Sequence, residues 1–240
     1  MVKKTGHGGK VLLWEEMTSS QIDALDRRLP VVIPIGSIEM HGPHLPVGCD
    51  TIAASRLAED ACVITGAILA PSVAYGIIPI GEHNGDVPIS INAFTAYVRN
   101  VVEGFYKNQF NKIILVNGHG GNIDALESIC ADALEAHNDI KIINYEWWRY
   151  NIPIAWEPII NDGTHADRGE TGFMLAVRPD IVNMKQAKDS NGTKAKAWYY
   201  QQGSGVDGHP TQATAREGRT IYRIVLRKLV DLVRAAKTDS

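Results

Sequence analysis

The sequence predicts an α/β protein, a three-layer α/β/α sandwich with a mostly parallel central sheet, with residues 1–240 forming a single domain. Three observations predict it. Short continuous apolar runs end in polar, glycine-containing clusters, which is how strands buried on both faces read. Longer segments between them carry apolar residues at helical spacing. The two kinds of segment alternate, and parallel strands joined by right-handed crossovers then place helices on both faces of the sheet.

Taken in order, residues 31–35 (Val-Val-Ile-Pro-Ile) form the first clear strand and stop at Gly36. Residues 51–63 and 94–110 follow with helical periodicity. Residues 112–116 (Lys-Ile-Ile-Leu-Val) are the second strong strand and stop at Asn117-Gly118. A helix over residues 123–136, a weaker strand over 140–143 and an apolar helix over 173–177 come next, and residues 219–236 form the last helix. Residues 189–218, rich in Gly, Ser, Thr and Gln, read as a long surface excursion or active-site rim. No internal repeat or low-complexity linker interrupts the chain.

A domain of 240 residues buries roughly 70–75% of its unfolded surface without help from a disulfide or metal, so any metal site is free to serve function. The composition, 45% hydrophobic and 21% charged, is that of a globular protein. A net charge of −3 and a pI near 6.2 leave no overall electrostatic footprint for nucleic acid or an anionic membrane, and neither is expected as a partner. Cys49, Cys62 and Cys130 are an odd number without a CxxC, which indicates neither a disulfide framework nor a thiolate zinc site. No apolar run approaches the ~20 residues of a membrane helix, and the basic first ten residues lead into no signal-peptide core. A cytoplasmic location is expected.

Ligands of open α/β sheets bind at the carboxyl ends of the strands, and three polar clusters lie where such sites form. The first runs from Gly36 through Glu39, His41 and His44 to Pro46, with Asp50 just before a helix. Glu39 and His41 are two residues apart and share a face of an extended segment, to which Asp50 can return. Two carboxylates and an imidazole suit zinc, manganese or iron; Asp50 as a helix N-cap and His41 as a loop histidine are the structural alternatives. The second cluster, Asn117-Gly118-His119-Gly120-Gly121-Asn122, has neither the GxGxxG spacing nor the Lys-Ser/Thr pair of a phosphate loop, which favours His119 as a metal ligand over an incidental turn residue. The third, Thr164 to Gly172, offers Glu170 as a ligand, or as a partner of the helix dipole, and His165 as a proton shuttle. Trp147, His44 and Asn122 are the candidates for contact with substrate, Trp147 as an aromatic wall or a core residue.

Glu39-Met40-His41-Gly42-Pro43-His44-Leu45-Pro46 with Asp50-Thr51, the run Asn117 to Asn122, and the run His165 to Thr171 resemble the signature blocks of the creatininase family of metal-dependent amidohydrolases. Gly205 to Pro210, with Ala213-Thr214-Ala215 and Glu217-Gly218, resembles a fourth block near that family's end. The likeness extends from about residue 13 to the final helix, with the blocks in order. It implies a three-layer α/β fold, two divalent metal ions (zinc, manganese or iron) per chain, a small-molecule substrate, and a homo-oligomer, often a hexamer. It further implies that Glu39, His41, Asp50, His119 and Glu170 are ligands, with Asp50 bridging, and that His165 transfers protons. One position departs: creatininase itself has a metal-binding glutamate two residues after the histidine matched by His119, where this chain has Gly121. The His-Gly-Gly-Asn form is common in relatives with other substrates, and Glu170 then becomes the replacement carboxylate.

Such a centre can hold a bridging hydroxide between ions about 3.5–4 Å apart while one ion polarises a carbonyl. The expected activity is hydrolysis of a C–N amide bond, of cyclic amide or formamide type, in a small polar molecule. The alternatives are opening of an oxidised cyclitol, an inosose-type diketone, by C–C cleavage, and a non-catalytic metal-bound sensor or scaffold. No Gly-x-Ser-x-Gly elbow is present and Cys49 has no base beside it in sequence, which argues against a serine or cysteine hydrolase.

Overall fold

The computed structural model describes residues 2–4, 10–78, 83–149, 156–160, 162–190 and 205–238. Its strands are β1 (Val2–Lys4), β2 (Lys10–Leu13), β3 (Val31–Ile35), β4 (Ile68–Leu69), β5 (Lys112–Asn117) and β6 (Lys141–Glu146). The helices are α1 (Ser19–Asp23), α2 (Cys49–Thr65), α3 (Ile91–Lys107), α4 (Ile123–Ala136), α5 (Glu157–Ile160), α6 (Arg168–Val177) and α7 (Ala215–Thr238). The sheet runs β1-β2-β4-β3-β5-β6, parallel throughout except for the antiparallel pair β1–β2. This is the three-layer α/β sandwich that the alternation of segments predicts.

β3 and β5 are buried along their whole length, and each sends alternate side chains to opposite layers. Val32, Ile114 and Val116 meet α2, α6 and α7 through Leu57, Phe173, Val225 and Leu229. Ile33, Ile113 and Leu115 meet α3 and α4 through Phe94, Val98, Leu126 and Ile129. Helix α7 is amphipathic: Ile221, Val225, Leu229 and Val233 recur every fourth residue on its buried face. It crosses α6 at a pair of glycines, since a Cβ on Gly218 would fall 1.6 Å from the Gly172 carbonyl oxygen. Backbone therefore touches backbone there, and α6 packs tightly on α7.

The boundaries differ from the periodicity for local reasons. Helix α2 starts at Cys49 behind Gly48, and α3 starts at Ile91 because the Ser90 hydroxyl accepts from Ala93 N at 3.3 Å. Helix α3 ends before Phe110: Gln109 turns the chain with φ 66°, and Phe110 reaches the core beyond that turn to pack on Trp14. Of the excursion over residues 189–218, the stretch 191–204 lies outside the described residues. The described flank folds back across the sheet end, with Asp207 bridging to His165 and Gly208 to Ser190. Among the described residues, no helix is long and apolar enough to cross a membrane.

What places the site is the register of the two central strands. Val31 pairs with Ile113 and Ile35 with Asn117, so both strands end together, and Gly118 N donates to Ile35 O at 2.8 Å. The loops after β3 and β5 therefore emerge side by side at the carboxyl edge.

Candidate metal centre

Two glycines let those loops close on the start of α2. A Cβ at Gly36 would come within 2.4 Å of the Thr51 backbone, and one at Gly118 within 2.2 Å of Asp50 O. Thr51 Oγ1 fixes the contact by donating to Ser37 O and Ala74 O at 2.9 and 3.0 Å. Asp50 is thereby delivered into the space between the two loops. It sits inside the first turn of α2 with Gly48 before it, and its carboxylate makes no cap.

The two oxygens of Asp50 face two different histidines. Oδ1 lies 2.9 Å from His41 Nε2, and Oδ2 lies 2.8 Å from His119 Nδ1 while accepting from Ser37 Oγ at 2.7 Å. Glu39 Oε2 approaches His119 Nδ1 at 3.2 Å, and Glu170 Oε2 stands 3.8 Å from His41 Nε2. Each histidine gives its other ring nitrogen to a backbone carbonyl: His41 Nδ1 is 2.9 Å from Glu39 O, and His119 Nε2 is 2.9 Å from Ile77 O. A carbonyl only accepts, so both contacts fix a tautomer that aims the second nitrogen at the carboxylates, as the outer partners of metal-ligating histidines do. His41 Nε2 and Glu39 Oε2 are buried without an aligned hydrogen bond. Glu39, Asp50 and His119 form one group of possible ligands, Glu39, His41 and His165 a second, and His41, Cys49 and Asp50 a third.

Electrostatics fit a cation-binding cluster. Burial works against charge on every member. It pushes Glu39 up to about 7 and raises Glu170 despite the attraction of His41. For the histidines burial is overridden by Asp50, which lifts His119 to about 9 and His41 well above the ordinary imidazole value. Asp50 is held far below the carboxylate range, its own burial outweighed by the two imidazoles. In this cluster the histidine protons serve as the counter-charge that a divalent ion would replace.

His165 sits beside the group. Its ring centroid is 4.2 Å from that of His41, and its Nε2 is 2.7 Å from Met40 O. Burial, then the nearby His41, depress its pKa to about 3, so it is a neutral imidazole. The fourth sequence block holds it there: Asp207 N donates to His165 O at 2.8 Å, and Thr164 Oγ1 donates to Asp207 Oδ2 at 2.6 Å. The next residue, Ala166, has φ 48°, a strained value for a residue with a Cβ, and its N–H donates to Glu170 Oε2 at 2.6 Å. Asp167 caps α6 through the Glu170 N–H at 2.9 Å.

The remaining candidates lie around this centre. His44 Nε2 meets Thr171 Oγ1 at 2.9 Å, and burial lowers its pKa to about 4. Asn122 uses both ends of its amide on backbone, accepting from Ile77 N and donating to Gly36 O, each at 3.0 Å, and so ties three loops together. Trp147 is buried against Phe173 with centroids 4.9 Å apart, and lines a narrow crevice with Cys49, Asp50 and Glu170. Sequence reasoning did not single out Ser37 or Thr171. Their signal is adjacency to the motif residues; the carbonyls of Ile77 and Met40 leave none.

Position 121 admits no side chain. A Cβ there would lie 2.1 Å from Ile77 O and 2.5 Å from His119 Nε2, on the very bond that orients His119. Gly121→Glu is therefore expected to cost about 10–100-fold in metal affinity, the usual consequence of losing an outer partner, and to add no ligand. Metal titration of the purified variant checks this, and tighter binding than wild type would refute it.

The family model described as Creatininase, creatinine amidohydrolase, matches residues 15–233. A 3-dehydro-scyllo-inosose hydrolase of Thermotoga maritima is 29% identical over 255 residues, covering 92% of this chain and 82% of the relative. A mycofactocin precursor peptide peptidase of Mycolicibacterium smegmatis is 29% identical over 232 residues, covering 87% and 86%. The solved Mn structure of creatininase has a TM-score of 0.83 to this chain, covers 96% of it and all of its own chain (100%), and is 18% identical, which shows a common fold.

Proposed function

Because this chain belongs to the creatininase family, we propose that it is a hydrolase that adds water to a carbonyl of a small polar molecule and breaks a C–N amide bond of the cyclic amide or formamide type. Asp50 carries the reading: a buried carboxylate whose two oxygens each face a separate, tautomer-fixed histidine suits a bridge between two cations. Glu39, His41, Asp50, His119 and Glu170 would hold two divalent ions of zinc, manganese or iron, a donor set of carboxylates and imidazoles that all three accept. Ions held there would supply Lewis acidity toward the carbonyl and an acidified water.

The chain's own groups do the rest. Ser37 and Asn122 hold Asp50 and the strand-end loops in place. His165, with its Nε2–H directed to Met40 O, is the proton-transfer group. It takes the proton of the attacking water and returns it to the leaving nitrogen, serving as base and then as acid. Trp147 and His44 border the substrate. Cys49 is no covalent nucleophile: it is buried, and without metal its burial and then the carboxylate of Glu170 raise the thiol well above its ordinary value.

A second reading, C–C cleavage of an inosose-type diketone, has the Thermotoga maritima relative in its favour. It uses the same addition with carbon as leaving group. The family's named hydrolases leave the sensor reading without support. The test is a panel of cyclic amides, formamides and inosose-type diketones given to the metal-loaded protein. Turnover of amides is expected; turnover of diketones alone would replace the first reading by the second.

A further inference from the structure

We propose that Cys49 is a ligand of the ion held by His41 and Asp50, which makes that half of the centre a mixed sulfur, nitrogen and oxygen site. The inference rests on the two-ion reading above and adds a residue to it. Cys49 is the first residue of α2, next to Asp50, and is 2% exposed. Its Sγ, a His41 ring nitrogen and an Asp50 carboxylate oxygen lie within 4.8 Å of one another. Ligands of one tetrahedral zinc, bonded at about 2.3 Å for sulfur and 2.0–2.1 Å for nitrogen, stand roughly 3.5 Å apart, so a small side-chain rotation closes the remainder.

An independent observation points to an ion at this spot. His41 is 1% exposed, and its Nε2, the nitrogen turned toward Asp50, has no aligned hydrogen-bond partner. The demand for another donor on this side is also structural. Glu170 Oε2 already accepts from Ala166 N at 2.6 Å while standing 3.8 Å from His41 Nε2. His41, Asp50 and Cys49 together make three protein donors, the number a catalytic zinc site takes with its fourth position left to water. The opposite side, with Glu39, Asp50 and His119, offers oxygen and nitrogen alone. The two halves thus differ in softness, and thiolate favours zinc, cobalt or iron over manganese on the Cys49 side. Binding releases the thiol proton to solvent as the sulfur–metal bond forms, with no electron transferred.

Cys49 also packs against Leu45, Ala166, Met174 and Val206, and simple packing is what the test must separate. The chain has three cysteines, so a Cys62→Ala, Cys130→Ser double variant retains Cys49 alone. Loaded with cobalt(II), wild type and double variant should both show a thiolate-to-cobalt charge-transfer band in the near ultraviolet. Cys49→Ser should lose that band while keeping bound cobalt and its visible d–d bands. Cobalt bound to wild type and double variant without the charge-transfer band overturns the proposal and leaves the centre standing. Wild-type protein that binds no cobalt at all overturns both. If Cys49→Ser does not fold, the double variant still decides.

Discussion

Asp50→Ala is expected to abolish turnover and empty the centre of metal, with little change in the stability of the metal-free fold. The carboxylate meets His41 and His119 through separate oxygens at 2.9 and 2.8 Å, so one substitution removes a donor from both halves at once. The loss in metal affinity should exceed the roughly 10–100-fold that follows removal of a mere supporting group. The fold does not need the side chain. Asp50 does not cap α2, and its near neighbours are ionisable groups of the cluster itself and the Ser37 hydroxyl. Removing it also relieves the repulsion that helps to hold Glu39 and Glu170 above their ordinary values. Metal content by elemental analysis and thermal melts of both proteins without metal check the two halves. Unchanged metal content in the variant would reduce Asp50 to a structural residue.

The central part of this architecture is readable because its strands are buried on both faces. The runs ending at Gly36 and Gly118 have no polar interruption that a helix or a surface strand would carry. The edge escaped for the opposite reason. β4 has only two residues, Ile68 and Leu69, and β2 only four, too few for a period to show. The site was legible where chemistry is crowded at strand ends, as in Glu39, His41 and His119. It was less so where a side chain's direction matters. Asp50 near a helix start fits a cap equally well in sequence, and the glycine contacts of Gly36 and Gly118 decide that it turns inward. Asn122 shows the converse: a polar residue inside a motif whose amide is taken up by the Ile77 N–H and the Gly36 carbonyl. Which polar residue of a motif faces a ligand and which holds the loop depends on backbone groups, and these have no letter in the sequence.

His165→Ala is expected to keep both ions and the substrate site while losing about 10²–10⁴-fold in turnover, the range for removing a positioned acid or base. The residue stands at the centre through Met40 O at 2.7 Å and the Asp207 bridge, and these bonds orient it without making it a necessary ligand. Burial and then the nearby His41 disfavour its charged form, so the ring enters each cycle uncharged. If it passes the water proton to the leaving atom, the penalty of the variant depends on how badly the leaving group needs protonation. Amides with good leaving groups should lose little, and unactivated amides should lose most. A packing defect would penalise every substrate alike, so the slope across a leaving-group series separates the two. Asp167 is a poor substitute: its two oxygens accept from Glu170 N at 2.9 Å and Gly163 N at 3.2 Å, which ties it to the start of α6. Full turnover of an unactivated amide by the variant would sink the assignment and move the proton transfer to water within the centre.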